Sequence, residues 1–354
     1  MAGICDHTTG RDMGEFACVI HPLDPRRDVA RKYPLLAKVL PEPLIHLFSR
    51  FWPPVYLSQV TGVRSAATGK EVSGWLLACP LTARQMLRMS PRAAYRKIIQ
   101  TGHLAERLGA QLLGLLAFTS SIGDGGVTVA QHLRIPVTTG RSLTIAVAVE
   151  ALEEAIRQRG VALEEATLAV VGATGSIGSA CAEILAPTVA GLILVSRNEA
   201  RLAQVAERVR AAGARQVQIS TTVAAIRPAQ MVLSATNAAR PIIQPEHLRE
   251  NAVIYDVALP PDVSPRVAEE RKDVRLIAGG VMDVPGTVDF GFNFGLPPGK
   301  AYACMAETMI LALEGRFESY SLGKRMPPGR VREIAQLARK HGFRLSSGGG
   351  YVSR

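Results

Sequence analysis

The stretch from Thr167 to Gly178, reading Thr-Leu-Ala-Val-Val-Gly-Ala-Thr-Gly-Ser-Ile-Gly, limits the fold more than any other part of this chain. A short apolar run, Leu168 to Val171, ends abruptly in glycines. A second apolar run, Leu192 to Val195, follows a helical segment from Ser179 to Leu185. Strand, glycine turn, helix and strand make one βαβ unit. Each glycine has its own task there: Gly172 lets the chain leave the strand tightly, Gly175 lets backbone approach a pyrophosphate, and Gly178 lets the helix pack on the strand. The helix N-terminus adds unpaired N–H groups and a positive dipole end. The spacing is G-x-x-G-x-x-G, because position 173 is alanine. Gly172, Ala173, Thr174, Gly175, Ser176, Ile177 and Gly178 are the expected dinucleotide contacts.

The second strand runs into Ser196-Arg197-Asn198. A carboxylate at this point would bond a ribose 2′-hydroxyl and repel a 2′-phosphate. Ser196 and Arg197 offer a hydrogen-bond donor and a positive charge instead, so NADPH is the expected cofactor, with Asn198 beside them. Arg201, one turn on, reads by itself as an exposed helix residue. Further short apolar runs follow at Val217–Ser220, Met231–Ser234, Val253–Val257 and Val274–Ile277, with a helix over Leu202–Ala212. The alternation predicts an α/β fold, a Rossmann-like doubly wound parallel sheet. Thr236 and Asn237 follow the Met231–Ser234 strand, where a nicotinamide ribose tends to lie.

Ahead of this unit the chain reads as a second α/β domain. Residues 1 to about 30 carry little pattern, and prolines among apolar residues from 33 to 57 suggest short broken helices. Val55–Thr61 and Glu71–Ala78 read as strands joined through Gly69. Thr82 to Leu108 reads as helix, capped by Thr82, broken at Pro91 and stopped by Gly109. An apolar strand from Gln111 then enters a polar loop in which Thr119, Ser120 and Ser121 are placed to meet substrate. Thr139 or Ser142 can cap a helix running to Gln158. Beyond the sheet, Gly286–Gly299 reads as loop, a helix from Lys300 closes at Gly315, Val331–His341 is a last helix, and the tail from Ser346 looks disordered. The expected domains are 1–140 for substrate, 141–298 for NADPH, and 299–354 as C-terminal helices packing back on the first.

Composition excludes several classes. No apolar run approaches the ~18 residues of a spanning helix, and no signal peptide is evident. Five cysteines without a C-x-x-C argue against a disulfide framework and for a reducing cytoplasm. The histidines form no ligand cluster, so no metal is expected. The net charge of +11 suits an acidic partner. With aromatics at 5% and no basic run among them, nucleic acid ranks last. Peripheral membrane contact is left open.

Cys304 is the candidate for chemistry. It lies in the first turn of the predicted helix from Lys300, where the dipole end and Lys300 favour thiolate over thiol. Glu307 works against this. No histidine is close in sequence to act as base, and the face Ala301, Cys304, Thr308 and Leu311 equally suits a buried cysteine acting as a small hydrophobe.

Several segments, in order from about residue 55 to 345, carry a family resemblance. They are Ala67-Thr-Gly-Lys, Ala117-Phe-Thr-Ser, Thr138-Thr-Gly, Val170-Val-Gly-Ala-Thr-Gly-Ser-Ile-Gly-Ser, Gly279-Gly-Val, Ala303-Cys-Met-Ala-Glu-Thr-Met and Lys340-His-Gly-Phe. Together they resemble the long-chain acyl-acyl-carrier-protein reductase family. The resemblance implies NADPH-dependent reduction of a fatty acyl thioester to fatty aldehyde, with Cys304 first taking the acyl group. It implies acyl carrier protein or acyl-coenzyme A as the substrate carrier and an aldehyde-consuming enzyme as a partner. The N-terminal ~50 residues fall outside it, and Arg141 stands where that family is more often neutral, which leaves chain length and carrier open. Two alternatives stand beside it. One is a shikimate-dehydrogenase-like enzyme passing hydride directly to a keto or imine group. The other is a protein that binds NADPH or a carrier without turnover.

Overall fold

The computed structural model describes residues 15–22, 51–238 and 240–346. The short helices expected before residue 51, Cys5, and the tail after Ser346 lie outside these. The described chain opens with β1 (Phe16–Ile20), β2 (Val55–Arg64), β3 (Glu71–Ala78), α1 (Ala83–Arg88) and α2 (Pro91–Arg107). It continues through β4 (Leu113–Leu115), α3 (Phe118–Ser121), α4 (Val127–Gln131), β5 (Val137–Thr138) and α5 (Arg141–Arg157). The nucleotide unit follows: β6 (Thr167–Val171), α6 (Ser176–Leu185), β7 (Gly191–Val195), α7 (Glu199–Ala211), β8 (Val217–Ser220), β9 (Met231–Ser234), β10 (Val253–Asp256), α8 (Pro265–Glu270) and β11 (Arg275–Ala278). Last come β12 (Val281–Asp283), β13 (Gly286–Asp289), β14 (Lys300–Tyr302), α9 (Ala303–Glu314), α10 (Pro328–His341) and β15 (Arg344–Leu345).

The nucleotide sheet has the order β11-β10-β9-β6-β7-β8, and every pairing is parallel. That is two mononucleotide halves diverging from β6 and β9, the doubly wound Rossmann arrangement. Its strands are near-continuous apolar runs because both faces are covered. The crevice between β6 and β9 opens at their carboxyl ends, where the glycine turn and the segment after Ser234 meet: Ala235 N–H donates to Val171 O over 2.9 Å.

The other sheet runs β13-β2-β3-β1-β4-β5, antiparallel at the β13 and β2 edge and parallel from β3 onward. Two expectations change here. Phe16–Ile20, in a stretch read as patternless, is an inner strand whose first four residues are buried. It is too short to show a period. Gly286–Asp289, read as loop, adds the edge beside β2, so the chain returns to the first sheet before residue 298. The helix expected from Lys300 likewise begins as strand β14, paired antiparallel with β12, and turns helical at Ala303.

The break at Pro91 is as expected: Thr82 forms a capping box with Gln85, and Ser90 caps the second helix. The cap of α5 is different. Gly140 precedes it with no side-chain cap, and Thr139 Oγ1 donates instead to Ser321 O. The first N–H groups are satisfied from elsewhere in the chain, Ser142 N–H by Ser321 Oγ at 3.1 Å and Leu143 N–H by Glu307 Oε2 at 2.8 Å. A single apolar cluster joins both sheets through α5 and α9, running from Phe16 and Val60 through Leu152 and Ile310 to Val170 and Tyr255.

Candidate active site

The start of α9 is pressed against the start of α5. A Cβ on Gly140 would lie 2.2 Å from Cys304 Cα, and Gly140 has φ +69°, so both space and backbone conformation call for glycine. This contact sets Cys304 at the wall of a cavity of about 550 Å³. The same cavity is lined by Thr174, Gly175, Ser176 and Ile177 from the nucleotide turn and by Thr236 and Asn237 beyond β9. Its apolar lining includes Trp52, Val55, Leu57 and Phe292. Cysteine and nucleotide turn, far apart in sequence, therefore share one space.

The turn fits a dinucleotide. A Cβ on Gly178 would meet Gly172 O at 2.5 Å, so α6 packs directly on the turn, and α6 begins at Ser176 with no side-chain cap. Its first N–H groups, at the cavity wall, are those an anion would take. Thr174 Oγ1 and Ser196 Oγ are bonded at 2.7 Å, tying the turn to the end of β7. Ala173 is buried in the core and its N–H goes to Val195 O, so it shapes the turn and does not face the cavity. Asn198 Oδ1 accepts Arg201 N–H as the cap of α7. Arg197 and Arg201 are both exposed, and Arg201 lines the cavity. The expectation of an exposed helix residue holds for Arg201, and its place at the cavity wall is what the structure adds.

Asp262 and Asp256 fix the far wall. Asp262 accepts from Ser234 Oγ (2.7 Å), Thr236 N (2.9 Å) and Thr236 Oγ1 (2.5 Å), which places Thr236. Asp256 accepts the N–H groups of Ala258, Asp262 and Val263. Burial pushes its carboxyl up to about 6 against those bonds. Neither aspartate stood out in the sequence, since each acts through contacts across the β9 and β10 ends.

The electrostatics of Cys304 differ from expectation. Burial pushes its thiol up to about 11, although the N–H groups of Ala117, Met305 and Cys304 itself pull the other way. Lys300 does not help: its ammonium is bonded to Asp283 and Ser346 at 2.5 Å each. Desolvation of this half-buried side chain thus works against the helix dipole end. Glu307 is fully buried and occupied by Thr138 Oγ1 (2.5 Å) and Leu143 N–H, so it holds β5 and α5 against α9.

Of the polar loop, Ser120 and Ser121 line the cavity, whereas Thr119 is buried with its hydroxyl on Leu116 O. Two further residues reach the cavity from elsewhere. His21, just past β1, accepts Phe118 N–H at Nε2 over 3.2 Å, and Arg141 is buried at the start of α5.

Residues 153–278 match the family described as shikimate / quinate 5-dehydrogenase. Curated relatives include the aminotransferase PigE of Serratia sp., 32% identical over 79% of this chain, and the long-chain acyl-[acyl-carrier-protein] reductase of Synechococcus elongatus, 27% identical over 83% of this chain and 89% of the relative. The chain spans about a third of the length of the Serratia protein. Among solved structures, quinate dehydrogenase from Corynebacterium glutamicum in complex with NAD aligns with 91% of this chain and 99% of its own, at 15% identity and a TM-score of 0.41. The doubly wound sheet, its glycine turn and the match over residues 153–278 together define a Rossmann-type, NADPH-binding domain of the kind that dehydrogenases carry. The chain is homologous to the acyl-[acyl-carrier-protein] reductase over most of its length and has a shikimate-dehydrogenase-like nucleotide domain. Among the described residues no helix is long and apolar enough to cross a membrane.

Proposed function

We propose that this protein reduces a long-chain fatty acyl thioester, carried by acyl carrier protein or coenzyme A, to the fatty aldehyde, with Cys304 as the acyl acceptor. The observation that carries this reading is the shared cavity, in which Cys304, the nucleotide turn and an apolar wall meet. Gly172–Gly178 and the N-terminus of α6 would hold the pyrophosphate, Ser196, Arg197 and Arg201 the 2′-phosphate, and Thr236 and Asn237 the nicotinamide ribose. NADPH, when bound, supplies the hydride. Trp52, Val55, Leu57 and Phe292 would take the acyl chain by burying its methylenes. Cys304 attacks the thioester carbon, gives its proton to the departing carrier sulfur and keeps the acyl group as an enzyme thioester. The cavity wall shields that thioester from water until it is reduced. The basic surface favours an acidic carrier protein. The aldehyde suits transamination, and a relative of this chain is an aminotransferase of which it matches one third.

The test is direct. The protein is mixed with NADPH and palmitoyl thioesters of acyl carrier protein and coenzyme A, while absorbance and aldehyde are followed. Parent protein is expected to form aldehyde and Cys304→Ser none. Undiminished aldehyde from the variant would sink the cysteine mechanism. The match of residues 153–278 favours one second reading, direct hydride transfer to a keto or imine group, which predicts that no acyl thioester drives NADPH oxidation.

A further inference from the structure

Ala117 has φ 50° and ψ −129°. This lies outside the left-handed helical well and belongs to the region that type II′ turns reserve for glycine. An L-residue stays there only when its surroundings fix it, and such residues gather at sites of function. Ala117 lies just past β4 at the cavity wall, which Cys304 and Met305 also line. Cys304 and Met305 stand in the first turn of α9, which has no side-chain cap, so their N–H groups have no partner within the helix.

Four contacts hold the Ala117 turn. On one side, Leu116 N–H donates to Val19 O (3.1 Å), and Phe118 N–H donates to His21 Nε2 (3.2 Å). The other ring nitrogen of His21 lies 3.0 Å from Pro22 O, so Nδ1 carries the proton and Nε2 acts as the acceptor. Within the turn, Ser120 Oγ donates to Ala117 O over 2.6 Å. From α5, the Arg141 guanidinium donates to Ser120 O and, over 2.6 Å, to Gly323 O. Arg141 is buried, with both of these acceptors being backbone carbonyls. It pins the turn to the loop on the opposite side.

We propose that the N–H groups of Ala117, Cys304 and Met305 form the oxyanion hole for acylation of Cys304, and that His21 and Arg141 are positioning residues that hold the Ala117 peptide toward it. The proposal rests on the acyl-thioester reading above. In the step it serves, the sulfur–carbon bond forms as the carbonyl π pair moves to oxygen. The oxygen then carries a negative charge beside the reacting carbon, at the cavity wall where Ala117 and the uncapped start of α9 meet. Collapse restores the carbonyl and breaks the bond to the carrier sulfur, which leaves with the proton from Cys304. Donors fixed beforehand need no reorganisation when the charge appears, which gives a physical reason for keeping alanine in a glycine conformation.

Two reactions of the full chain separate the roles. Acylation by palmitoyl-coenzyme A, without cofactor, develops an oxyanion, whereas alkylation of Cys304 by iodoacetamide does not; both are followed by intact-protein mass spectrometry. Replacing alanine 117 by lactate puts an ester oxygen where the N–H was. Acylation is expected to fall about 100-fold while alkylation stays within about threefold. His21→Leu removes the acceptor for Phe118 N–H and should slow acylation selectively, with recovery in His21→Gln, whose amide oxygen can accept in place of Nε2. Arg141→Met should behave as His21→Leu does. Acylation indifferent to position 117, or both reactions falling by one common factor, overturns the oxyanion assignment alone. A parent protein that is alkylated at Cys304 but never acylated overturns the thioester reading as well.

Discussion

Arg197 lies just before the Asn198 cap of α7 and Arg201 in the first turn of that helix, both exposed and neither ion-paired among the described residues. Their charge has no structural duty to lose, so their replacement should be read in cofactor binding and not in stability. Each charge-assisted bond to a phosphate contributes about 1.5–3 kcal/mol, or roughly tenfold to a hundredfold in affinity. Arg197→Ala and Arg201→Ala are each expected to raise KM for NADPH by about that factor and to leave KM for NADH nearly unchanged. Equal effects on both cofactors would remove the 2′-phosphate from the account. Asn198, by contrast, is a helix cap, and its loss should lower stability by about 1 kcal/mol with little effect on cofactor choice.

At the scale of elements, two segments that carry the family resemblance turn out to hold the far end of α9. Lys70, from Ala67-Thr-Gly-Lys, donates to Ala312 O over 2.9 Å, neutralising a carbonyl at the helix C-terminus. His341, from Lys340-His-Gly-Phe, bridges Ser65 Oγ (2.8 Å) and Glu314 Oε1 (2.9 Å), and Lys340 pairs with the same carboxylate. Lys340 and His341 hold the Glu314 carboxyl below its ordinary 4.5, against burial, while burial holds His341 below its ordinary 6.5. Both shifts have one sign. A depressed group contributes stability that is present above its unfolded value and is lost as pH falls through the folded value. The cap should therefore weaken below about pH 6.5, with Glu314 adding to the loss below about pH 4.5. Asp256, raised to about 6, acts in the opposite sense, so the informative quantity is a difference. Melting temperature measured between pH 7.5 and 5 is expected to fall less in His341→Gln than in the parent, starting from a lower value. Parallel curves for the two proteins would show that His341 does not titrate in this window.

For the whole molecule, the joint between the sheets is α5 against α9, and Glu307 sits in it. Its two bonds reach β5 and the first turn of α5, so removing the carboxylate leaves a buried N–H and a buried hydroxyl unpaired. Glu307→Ala should lose about 3 kcal/mol, lowering the melting temperature by several degrees. Because one apolar cluster spans both sheets, calorimetry should still show a single transition in the variant. Two separated transitions would mean that the sheets melt as independent domains.

The nucleotide half was legible because its information is local. Apolar runs of strand length, a glycine turn between them and Ser196-Arg197 at the next strand end lie within a few residues of one another, and their spacing alone gives the βαβ geometry. The break at Pro91 and the stop at Gly315 were legible for the same reason. The other half was decided by contacts between distant segments. Phe16–Ile20 is a strand because it lies between β3 and β4, and Gly286–Asp289 because β2 offers an open edge. Desolvation pushes the Cys304 thiol up, against the thiolate that its helix position favours. The Ala117 turn has no sequence signal, since nothing about alanine announces a glycine conformation. The sequence by itself determined a Rossmann unit whose second strand ends in Ser196 and Arg197 with no carboxylate. Only the tertiary structure put Cys304 into the same cavity, because that depends on Gly140 admitting α9 against α5, a contact no periodicity encodes.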